Sequence, residues 1–488
     1  MSQESIASKT ARCSFWTAIE KFSTMGVGFV VSMVLARLLS PSDFGTVALL
    51  GVFFAIATSL SNGGFSNALI RKSTCSQADY STAFFYNAAV SIGLYLLLFF
   101  AAPLIADFYD KEILCSVMRV SGLTLIINAL KQTQLVQLTR ELKYKDFAYV
   151  ALSASLISGI VGVTCAFLGF GIWALVIQGL VGSITNTLVL FLICRWIPTF
   201  EISRDSFKYL WGFGSKMLIT GLISSLYSNI YSIVVGKAYN TSVLGLFNRG
   251  QSLAILCPNI VDGVFTKTVF PILSQIKDDH NHLMAVYRKM VVTVSALNIP
   301  LCLLMCALAK PFVLFFLTDK WIGAVPYIQI FSLSMITSSA GVINLCLFQV
   351  EGRPDFMLKV EIIKKSIGFV LVFVLLAFGP LVLAIGNSLF LFYAYGVDLY
   401  YVNKMEQLPY FQQLRDLMPC TIAAVIASLV AWGITCLSIL PIIQLILGGI
   451  IGLAAYYVIT RYIIKMDIYD QIFAMIKSKK RCQREFLM

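Results

Sequence analysis

The chain has 488 residues, of which 58% are hydrophobic and only 12% charged, with a net charge of +13. A single water-soluble core of this length would bury far less apolar surface, so most of the chain must face lipid. This composition excludes an ordinary soluble enzyme, and the 12 cysteines show no CxxC spacing that would indicate a redox or zinc site.

Apolar runs of bilayer-crossing length follow one another along the whole chain. Backbone groups in lipid must be satisfied within each segment, and the runs lack the alternation of barrel strands, so we predict an all-α integral membrane protein. No connection is long enough for an extramembrane domain. We predict about 14 transmembrane helices, at 14–37, 44–69, 80–105, 113–138, 147–168, 171–196, 209–236, 243–272, 286–317, 325–350, 356–378, 381–402, 417–439 and 441–464.

Lysine and arginine are concentrated in alternate loops, for example at Arg71 and Lys72 and at Lys143 and Lys145. The positive-inside rule then places both termini in the cytoplasm, which requires an even number of spans. Since this bias accounts for most of the net charge, a nucleic-acid partner is not needed to explain it.

The end of the chain, 467–488, has apolar residues on one helical face followed by a run of cations. We predict a basic amphipathic tail on the cytoplasmic membrane surface, with recruitment of a partner as the lesser alternative. His280 and His282 share one loop without further ligands nearby, so we expect neither a metal site nor a cofactor.

One turn occurs twice, as "ARLLSPSDFGTVAL" at 36–49 and "GKAYNTSVLGLFNR" at 236–249. Weaker echoes follow in the same order. We therefore predict a six-helix lobe at 1–200, a second at 201–404, and two extra helices at 405–466. Because six is even, the lobes have the same topology, related by a pseudo-two-fold along the membrane normal, and can alternate access around a cleft. The alternative is that duplication is merely an economical way to build a membrane protein.

Charged residues interrupt several predicted spans, although a charge facing lipid at mid-membrane costs about 2.5–3.5 kcal/mol. Cations outnumber acids there, so several should face water or an anionic ligand. Arg119 and Lys267 lie near span ends and can snorkel to headgroups. The cations are Lys21, Arg119, Lys131, Lys216, Arg249, Lys267, Lys364 and Lys365, and the acids are chiefly Glu20, Asp262, Glu361 and Asp398.

The opening helices of the two lobes carry Lys21, Lys216 and Arg249. We expect them to form a basic cavity suited to phosphate, which Arg249 can bind as a bidentate fork and the lysines as point charges. Around them Lys131, Lys364 and Lys365 widen the positive field, although Glu361 precedes the last two at i,i+3 and i,i+4 and can pair with one of them.

A second expectation concerns coupling and movement. Pro258 should kink the eighth span near Cys257. Asp262 follows one turn later and, with Glu20, is a candidate for a coupling-ion site, and the kink is a candidate hinge. Asp262 equally suits the simpler role of neutralising Lys267.

Four stretches carry a family resemblance: "LARLLSPSDFGTVAL" in the first hairpin, "NRGQSL" at 248–253, "DKWIGAVP" at 319–326 and "EGRPDF" at 351–356. They resemble the polysaccharide transporter branch, of the Wzx-type lipopolysaccharide and colanic-acid exporters, in the multidrug/oligosaccharidyl-lipid/polysaccharide (MOP) exporter superfamily. The similarity extends over essentially the whole chain.

The resemblance implies a bacterial inner-membrane flippase, not an enzyme, that moves an undecaprenyl-diphosphate-linked oligosaccharide to the periplasmic leaflet. The cations then hold the diphosphate, and Trp211, Tyr227, Tyr231 and Tyr393 are candidates for stacking on sugar rings. Polysaccharide polymerase and chain-length proteins are possible partners of an otherwise monomeric protein.

Three other functions compete with this interpretation of the same residues. A drug or cation antiporter of the same superfamily should have an acidic or aromatic cavity, whereas the buried excess here is basic. A membrane polymerase or ligase acting on the same lipid-linked sugar generally needs a long extramembrane loop or a spaced pair of acids, and neither is present in the sequence. A scaffold without transport would leave the buried cations unexplained.

Overall fold

A computed structural model of the chain describes residues 6–62, 64–72 and 74–464, apart from the side chains of some residues near the N-terminus and within 213–220, 264–271 and 354–355. The predicted basic tail at 467–488 lies outside these ranges. Within them the regular structure is helical and contains no strand. The chain divides into two compact units, Met1–Asn248 and Arg249–Met488.

The helices of the first unit are α1 (Ile6–Leu38), α2 (Pro41–Asn62), α3 (Phe65–Arg71), α4 (Gln77–Phe108), α5 (Ile113–Ser121), α6 (Leu123–Leu130), α7 (Gln132–Arg140), α8 (Tyr144–Phe167), α9 (Ile172–Cys194) and α10 (Arg204–Ala238). Next comes α11 (Thr241–Ala254), which runs across the division. The second unit continues with α12 (Leu256–Gln275), α13 (His280–Ala307), α14 (Ala309–Phe316), α15 (Val325–Ser334), α16 (Ser338–Val350), α17 (Pro354–Leu375), α18 (Pro380–Glu406), α19 (Tyr410–Thr435) and α20 (Pro441–Val458).

Eleven segments of the described chain are long and apolar enough to cross a membrane. They match eleven of the predicted spans and confirm a multi-pass helical membrane protein. The other predicted spans, 209–236, 243–272 and 356–378, are also helical. Of these, the span at 356–378 contains four charged residues, Lys359, Glu361, Lys364 and Lys365, and the segment at 243–272 is divided into α11 and α12. The total of 14 therefore stays a prediction.

Helix α10 packs along α2, α3 and α4 and so belongs to the first compact unit. The predicted lobes at 1–200 and 201–404, the two extra helices and the symmetry that relates the lobes rest on the sequence repeat. They stay predictions.

The repeated turns meet inside the first unit. Each turn leads into a helix at the equivalent position of the repeat: α2 begins at Pro41, and α11 begins at Thr241, 200 residues later. The Ser40 backbone N–H donates to the Asp43 carboxylate (2.9 Å), and the Val243 N–H donates to Asn240 Oδ1 (2.8 Å). Each turn is thus capped by a side chain that satisfies an otherwise free N–H at a helix start.

Glycine permits these two helix starts to touch. A Cβ on Gly45 would overlap the Thr241 carbonyl, and a Cβ on Gly245 would overlap the Pro41 carbonyl. The hydroxyls of Ser42 and Thr241 are hydrogen-bonded at 2.9 Å. The contact is reciprocal, and it explains why the same glycine occurs in both copies of the turn.

In the second unit, α13 packs against α12, α15, α16 and α19. Helix α19 also packs against α20, where Gly448 and Gly452 lie against the side chains of Leu308 and Leu304. A Cβ on either glycine would come within 2.6 and 2.5 Å of those leucines, respectively. Small residues thus let the helices approach closely. In lipid, burial of apolar surface does not drive helix association, so close packing of this kind is what holds the helices together.

Candidate functional site

The six cations predicted to bind phosphate are divided between the two units. Lys21 on α1, Lys131 between α6 and α7, and Lys216 on α10 belong to the first unit, and Arg249, Lys364 and Lys365 belong to the second. Lys21 is exposed. The side chain of Lys216 lies outside the described residues.

Lys131 stands at a break in a membrane helix. The span Ile113–Arg140 consists of three short helices, with interruptions at Gly122 and Lys131. Lys131 precedes Arg140 by nine residues, which is about 13 Å along a helix and well inside a hydrocarbon core of about 30 Å. Thr187 on α9 donates a hydrogen bond to the Ile127 carbonyl (3.1 Å) and ties α6 to its neighbour just before this break.

A cavity of about 510 Å³ opens beside Lys131. Its walls come from α2, the α6–α7 break, α8 and α9, all within the first unit. Three glycine and alanine positions, Ala154, Gly179 and Gly182, leave the space that larger side chains would fill. The remaining walls are apolar on the side of Phe44 and Val47 and polar on the side of α8 and α9.

The polar wall consists of hydroxyls and amides: Ser155 and Ser158 on α8, and Gln178, Ser183 and Asn186 on α9. Among the described residues that line the cavity, Lys131 carries the single formal charge. The Asn186 Oδ1 atom is buried and has no hydrogen-bond partner in the described part of the chain. A buried acceptor left unpaired costs about 1–3 kcal/mol, so this wall is suited to a ligand that donates hydrogen bonds.

The sequence prediction did not identify this polar wall. Its signal is the spacing of Gln178, Gly182 and Asn186, which puts them on one face of α9, and of Ser155 and Ser158, three apart on α8. Hydroxyls are common in membrane helices, so the signal becomes specific only once the two faces are seen to meet.

Arg249 is buried, with 7% of its surface exposed, and its guanidinium lies 5.6 Å from the centre of the Trp321 ring. That distance allows a cation–π interaction. The next residue, Gly250, packs against Tyr327, where a Cβ would come within 2.5 Å of the tyrosine Cβ. The stretches "NRGQSL" and "DKWIGAVP", distant in sequence, are therefore in contact.

Two predicted phosphate ligands have carboxylate partners. Lys364 Nζ lies 2.5 Å from Asp398 on α18, and both side chains are largely buried. Lys365 Nζ lies 3.2 Å from Glu361, one turn earlier on α17. The intrahelical pair that the sequence allowed is therefore formed by Lys365, whereas Lys364 turns to the neighbouring helix.

A helix break lies close to the position of the predicted kink. The helix is interrupted at Ile255, between α11 and α12, and Pro258 is buried in the first turn of α12. Pro258 has no N–H to donate to the Ala254 carbonyl and its ring crowds that carbonyl, which explains the break. Asp262 and Glu20 are both partly buried, on α12 and α1. Their coupling role stays a prediction, as does that of the hinge.

Three of the four aromatic residues nominated for sugar stacking have ring contacts within the described part of the chain. Trp211 stacks on Phe207 at 5.9 Å and belongs to a cluster with Phe65 and Tyr86. Tyr231 stacks on Phe247 at 6.4 Å, and Tyr393 lies 6.3 Å from Phe390. Tyr227 is partly buried on α10. Among the described residues, no group of three or more His, Cys, Asp or Glu is placed to hold a metal.

Solved structures define the class to which this helical arrangement belongs. The structure is similar to the lipid II flippase MurJ in its inward closed conformation, with a TM-score of 0.76 and 15% identity over 92% of this chain and 98% of that one. It is also similar to an inward-facing multidrug resistance MATE transporter of the MOP superfamily, with a TM-score of 0.58 and 12% identity over 80% of this chain and 98% of that one. The chain therefore shares the fold of these two proteins.

Residues 34–326 match a family described as "Polysaccharide biosynthesis protein". The match covers more than half of the chain, and the protein therefore belongs to that family, which confirms the resemblance drawn from its motifs.

Relatives with curated names are also proteins of polysaccharide biosynthesis. The chain is 24% identical to the lipopolysaccharide biosynthesis protein WzxC of Escherichia coli (strain K12), over 74% of each chain. It is 21% identical to the teichuronic acid biosynthesis protein TuaB of Bacillus subtilis (strain 168), over 70% of this chain and 71% of the relative. With the succinoglycan biosynthesis transport protein ExoT of Rhizobium meliloti (strain 1021) it shares 23% identity, over 65% of each.

Proposed function

We propose that this protein is a flippase that moves undecaprenyl-diphosphate-linked oligosaccharide repeat units across the bacterial inner membrane, by alternating access, for the synthesis of a surface polysaccharide. One observation carries the proposal: a chain of the polysaccharide biosynthesis family has, over 92% of its length, the fold of a flippase for a lipid-linked precursor. The protein is accordingly a transporter and not an enzyme.

The lipid-linked substrate carries its negative charge on the diphosphate. We assign the binding of that group to Lys21, Lys216 and Arg249. Burial of Arg249 supports its part, because a guanidinium removed from water gains most from a bidentate anion.

Lys364 and Lys365 are not assigned as direct ligands here. Their ammonium groups already lie 2.5 and 3.2 Å from carboxylates, which neutralise them. Their predicted contribution to a basic cavity stays a prediction, together with the coupling or hinge roles of Asp262, Pro258 and Glu20.

We further propose that both termini lie in the cytoplasm and that the protein works as a monomer beside a polysaccharide polymerase and chain-length proteins. The alternative is a drug or cation antiporter, and a multidrug resistance MATE transporter shares the fold. It would need to hold cations, however, and the one charged residue lining the described cavity is itself a cation.

Movement of lipid between leaflets tests the function directly. The purified protein is reconstituted in liposomes that contain an undecaprenyl-diphosphate oligosaccharide, and periodate, which does not cross the membrane, oxidises the sugars that it can reach. We expect the protected inner-leaflet fraction to fall when the protein is present and to persist in protein-free liposomes. Protection unchanged under proton and sodium gradients of either direction would overturn the proposal.

The diphosphate site is tested by Lys21→Ala, Lys216→Ala and Arg249→Ala in the same assay. Hydrogen bonds to charged groups contribute about 1.5–3 kcal/mol each, so we expect each variant to lower the rate roughly tenfold to a hundredfold. Lys111→Ala is the matched control because Lys111 is an exposed loop lysine. Normal rates in all three variants, at normal protein levels, would rule out this assignment.

A further inference from the structure

The connection between α9 and α10, residues 195–203, is an irregular segment that lies along the start of α4, and it is called the linker below. The Gln77 side chain on α4 binds it twice. Its Oε1 atom accepts a hydrogen bond from the Trp196 indole N–H (2.7 Å), and its Nε2 atom donates to the Ile197 carbonyl (2.9 Å). The Trp196 ring also packs against two aromatic rings of α4. The first half of the linker is therefore fixed to α4.

The second half of the linker is held in the same way. The Thr199 backbone N–H donates to the Ser81 hydroxyl, and the Ser203 N–H donates to the Thr82 hydroxyl, at 3.1 Å each. Both serine and threonine acceptors are buried on α4. Backbone groups outside a regular helix thus find partners on a neighbouring helix. The linker consequently has a defined inner face, against α4, and a defined outer face.

The outer face of the linker is apolar. Ile197, Phe200 and Ile202 have 74%, 91% and 66% of their surface exposed, respectively. The inner side is already occupied by Trp196, whose ring lies on the aromatic rings of α4. Several large apolar side chains exposed together indicate an interaction surface.

The position of the linker indicates what this surface contacts. Helix α9 ends at Cys194, directly before the linker, and α4 begins at Gln77, which binds it. Both helices are candidate membrane spans. A segment attached to the ends of two membrane helices lies at the membrane surface. Amphipathic segments there bury their apolar side chains about 5–10 Å into the boundary between headgroups and acyl chains.

The apolar face of the linker continues along α4. Phe200 stacks on Phe85 of that helix, with the ring centres 5.3 Å apart. Farther along α4, the exposed side chains of Ile92, Leu96 and Phe100 follow Phe85 at helical spacing and so share its face. Since α4 is a candidate membrane span, this exposed face is suited to contact with acyl chains. Phe200 extends that apolar face to the end of the helix.

The charges around the linker are compatible with a lipid surface. Arg195 and Arg204 flank the apolar residues, Lys208 follows on α10, and all three are exposed. Glu201 and Asp205 are exposed among them, so three cations face two acids. With so small an excess of positive charge, the apolar side chains carry most of the contact. The two arginines are suited to the phosphate groups of lipid headgroups.

We propose that the linker is a membrane-surface anchor, in which Ile197, Phe200 and Ile202 insert among the headgroups and upper acyl chains of phospholipids while α4 holds the backbone. The occupant of this face is lipid, not a second copy of the chain or a partner protein. The boundary between the two predicted lobes falls in this segment, so their connection is fixed to the bilayer instead of being a loose tether. The proposal does not depend on the flippase function.

Photo-cross-linking tests the contact with lipid. p-Benzoylphenylalanine is introduced at position 200 of the full chain, which is irradiated in nanodiscs of phosphatidylethanolamine and phosphatidylglycerol and analysed by mass spectrometry. Position 100, on the exposed face of α4, is the positive control, and position 111, in an exposed loop, is the negative control. We expect a phospholipid adduct at position 200 in a yield similar to that at position 100 and at least fivefold above that at position 111.

The same experiment identifies any other occupant. No lipid adduct at position 200, when position 100 gives one, would overturn the proposal, and so would a cross-link to a second copy of the chain. Irradiation in cell membranes should again give lipid adducts. A cross-linked partner protein at position 200 would show that the face is a protein-docking surface and would also overturn the proposal.

Amide hydrogen exchange in nanodiscs tests insertion by a second route. Ile197→Asp changes a largely exposed side chain, so it should have no effect if that side chain faces water. If the side chain is inserted in lipid, the aspartate should release the linker and speed exchange of the Thr199 and Ser203 amides at least fivefold. Ile197→Val and Glu201→Gln should both keep the wild-type exchange rate.

Unchanged exchange in Ile197→Asp would overturn the insertion. If that variant does not fold, the cross-link at position 200 still decides, because benzoylphenylalanine keeps a large apolar side chain at that position.

Discussion

The buried pair of Lys364 and Asp398 shows how a charge inside the membrane is stabilised. The two groups lie 2.5 Å apart on α17 and α18, with 17% and 10% of their side chains exposed. An ion pair in such a place is not in itself strong evidence of stabilisation, because desolvation offsets the attraction. Removal of one partner is costly, since the other charge stays buried alone.

We therefore expect Asp398→Leu to lower the free energy of unfolding by about 3–5 kcal/mol. The double variant Lys364→Met/Asp398→Leu should recover most of that loss. Thermal unfolding in detergent, with a double-mutant cycle, measures both. Additive losses would show that the two side chains do not act as a pair.

At the scale of elements, the repeated turn determines how closely two helices approach. Pro41 to Gly45 and Thr241 to Gly245 are the first turns of α2 and α11, and each glycine lies against the other turn's backbone. Backbone atoms cannot move aside as a side chain can. Both glycines are therefore required by packing, whatever part the turns play in transport.

Gly45→Ala and Gly245→Ala should each separate α2 from the start of α11 and lower the unfolding free energy by about 1–3 kcal/mol through overpacking. Gly51→Ala is the control, because a Cβ there meets open space on the same helix. It should be neutral or slightly stabilising, since alanine favours a helix over glycine by about 1 kcal/mol. Three equal effects would contradict the close approach.

The break between α11 and α12 is a second feature at this scale. Pro258→Ala restores the missing N–H and relieves the clash with the preceding turn, so unfolding should be unchanged or occur at a higher temperature. If the break is the predicted hinge, Pro258→Ala should nevertheless lower the rate of lipid movement several-fold, although the protein is no less stable. Pro300→Ala, which replaces a proline inside α13, is the control for the loss of a helix proline away from this break. Retention of full transport by Pro258→Ala would exclude the hinge.

At the scale of the whole molecule, the distribution of loop cations predicts the orientation. Lys111 lies in the loop after α4 and Lys143 in the loop before α8, and both are exposed. The positive-inside rule assigns these loops to opposite sides of the membrane. The opposite placement of these two loops does not depend on the total number of spans.

Impermeant maleimide added to intact spheroplasts should label Lys111→Cys and should leave Lys143→Cys unlabelled until the membrane is opened. Both variants are made with Cys436→Ser, which removes the exposed native thiol of the described residues. The reverse labelling pattern would contradict the predicted orientation and with it the cytoplasmic N-terminus.

Much of the fold and little of the site was accessible to prediction from residues alone. Long apolar runs predict helices in lipid because their backbones have no other way to be satisfied, and eleven predicted spans were recovered as candidate membrane helices. The helix breaks at Ile255 and Lys131 each involve only a short stretch of chain, but only the break at Ile255 is followed by a proline that allows its prediction from the sequence. The polar wall of the cavity could not be predicted, because it depends on how α8 and α9 are rotated relative to each other, and the sequence of one helix does not specify that rotation.

The amino-acid sequence by itself determined that this is a multi-pass helical membrane protein of the polysaccharide biosynthesis family, since hydropathy, caps and family motifs are local properties of the chain. Only the tertiary structure decided which charges are neutralised and which line a cavity. Lys364 pairs with a carboxylate 34 residues away, and Lys131 lines a cavity together with side chains from three other helices. Such contacts depend on how helices rotate and cross, and packing between distant segments sets that geometry.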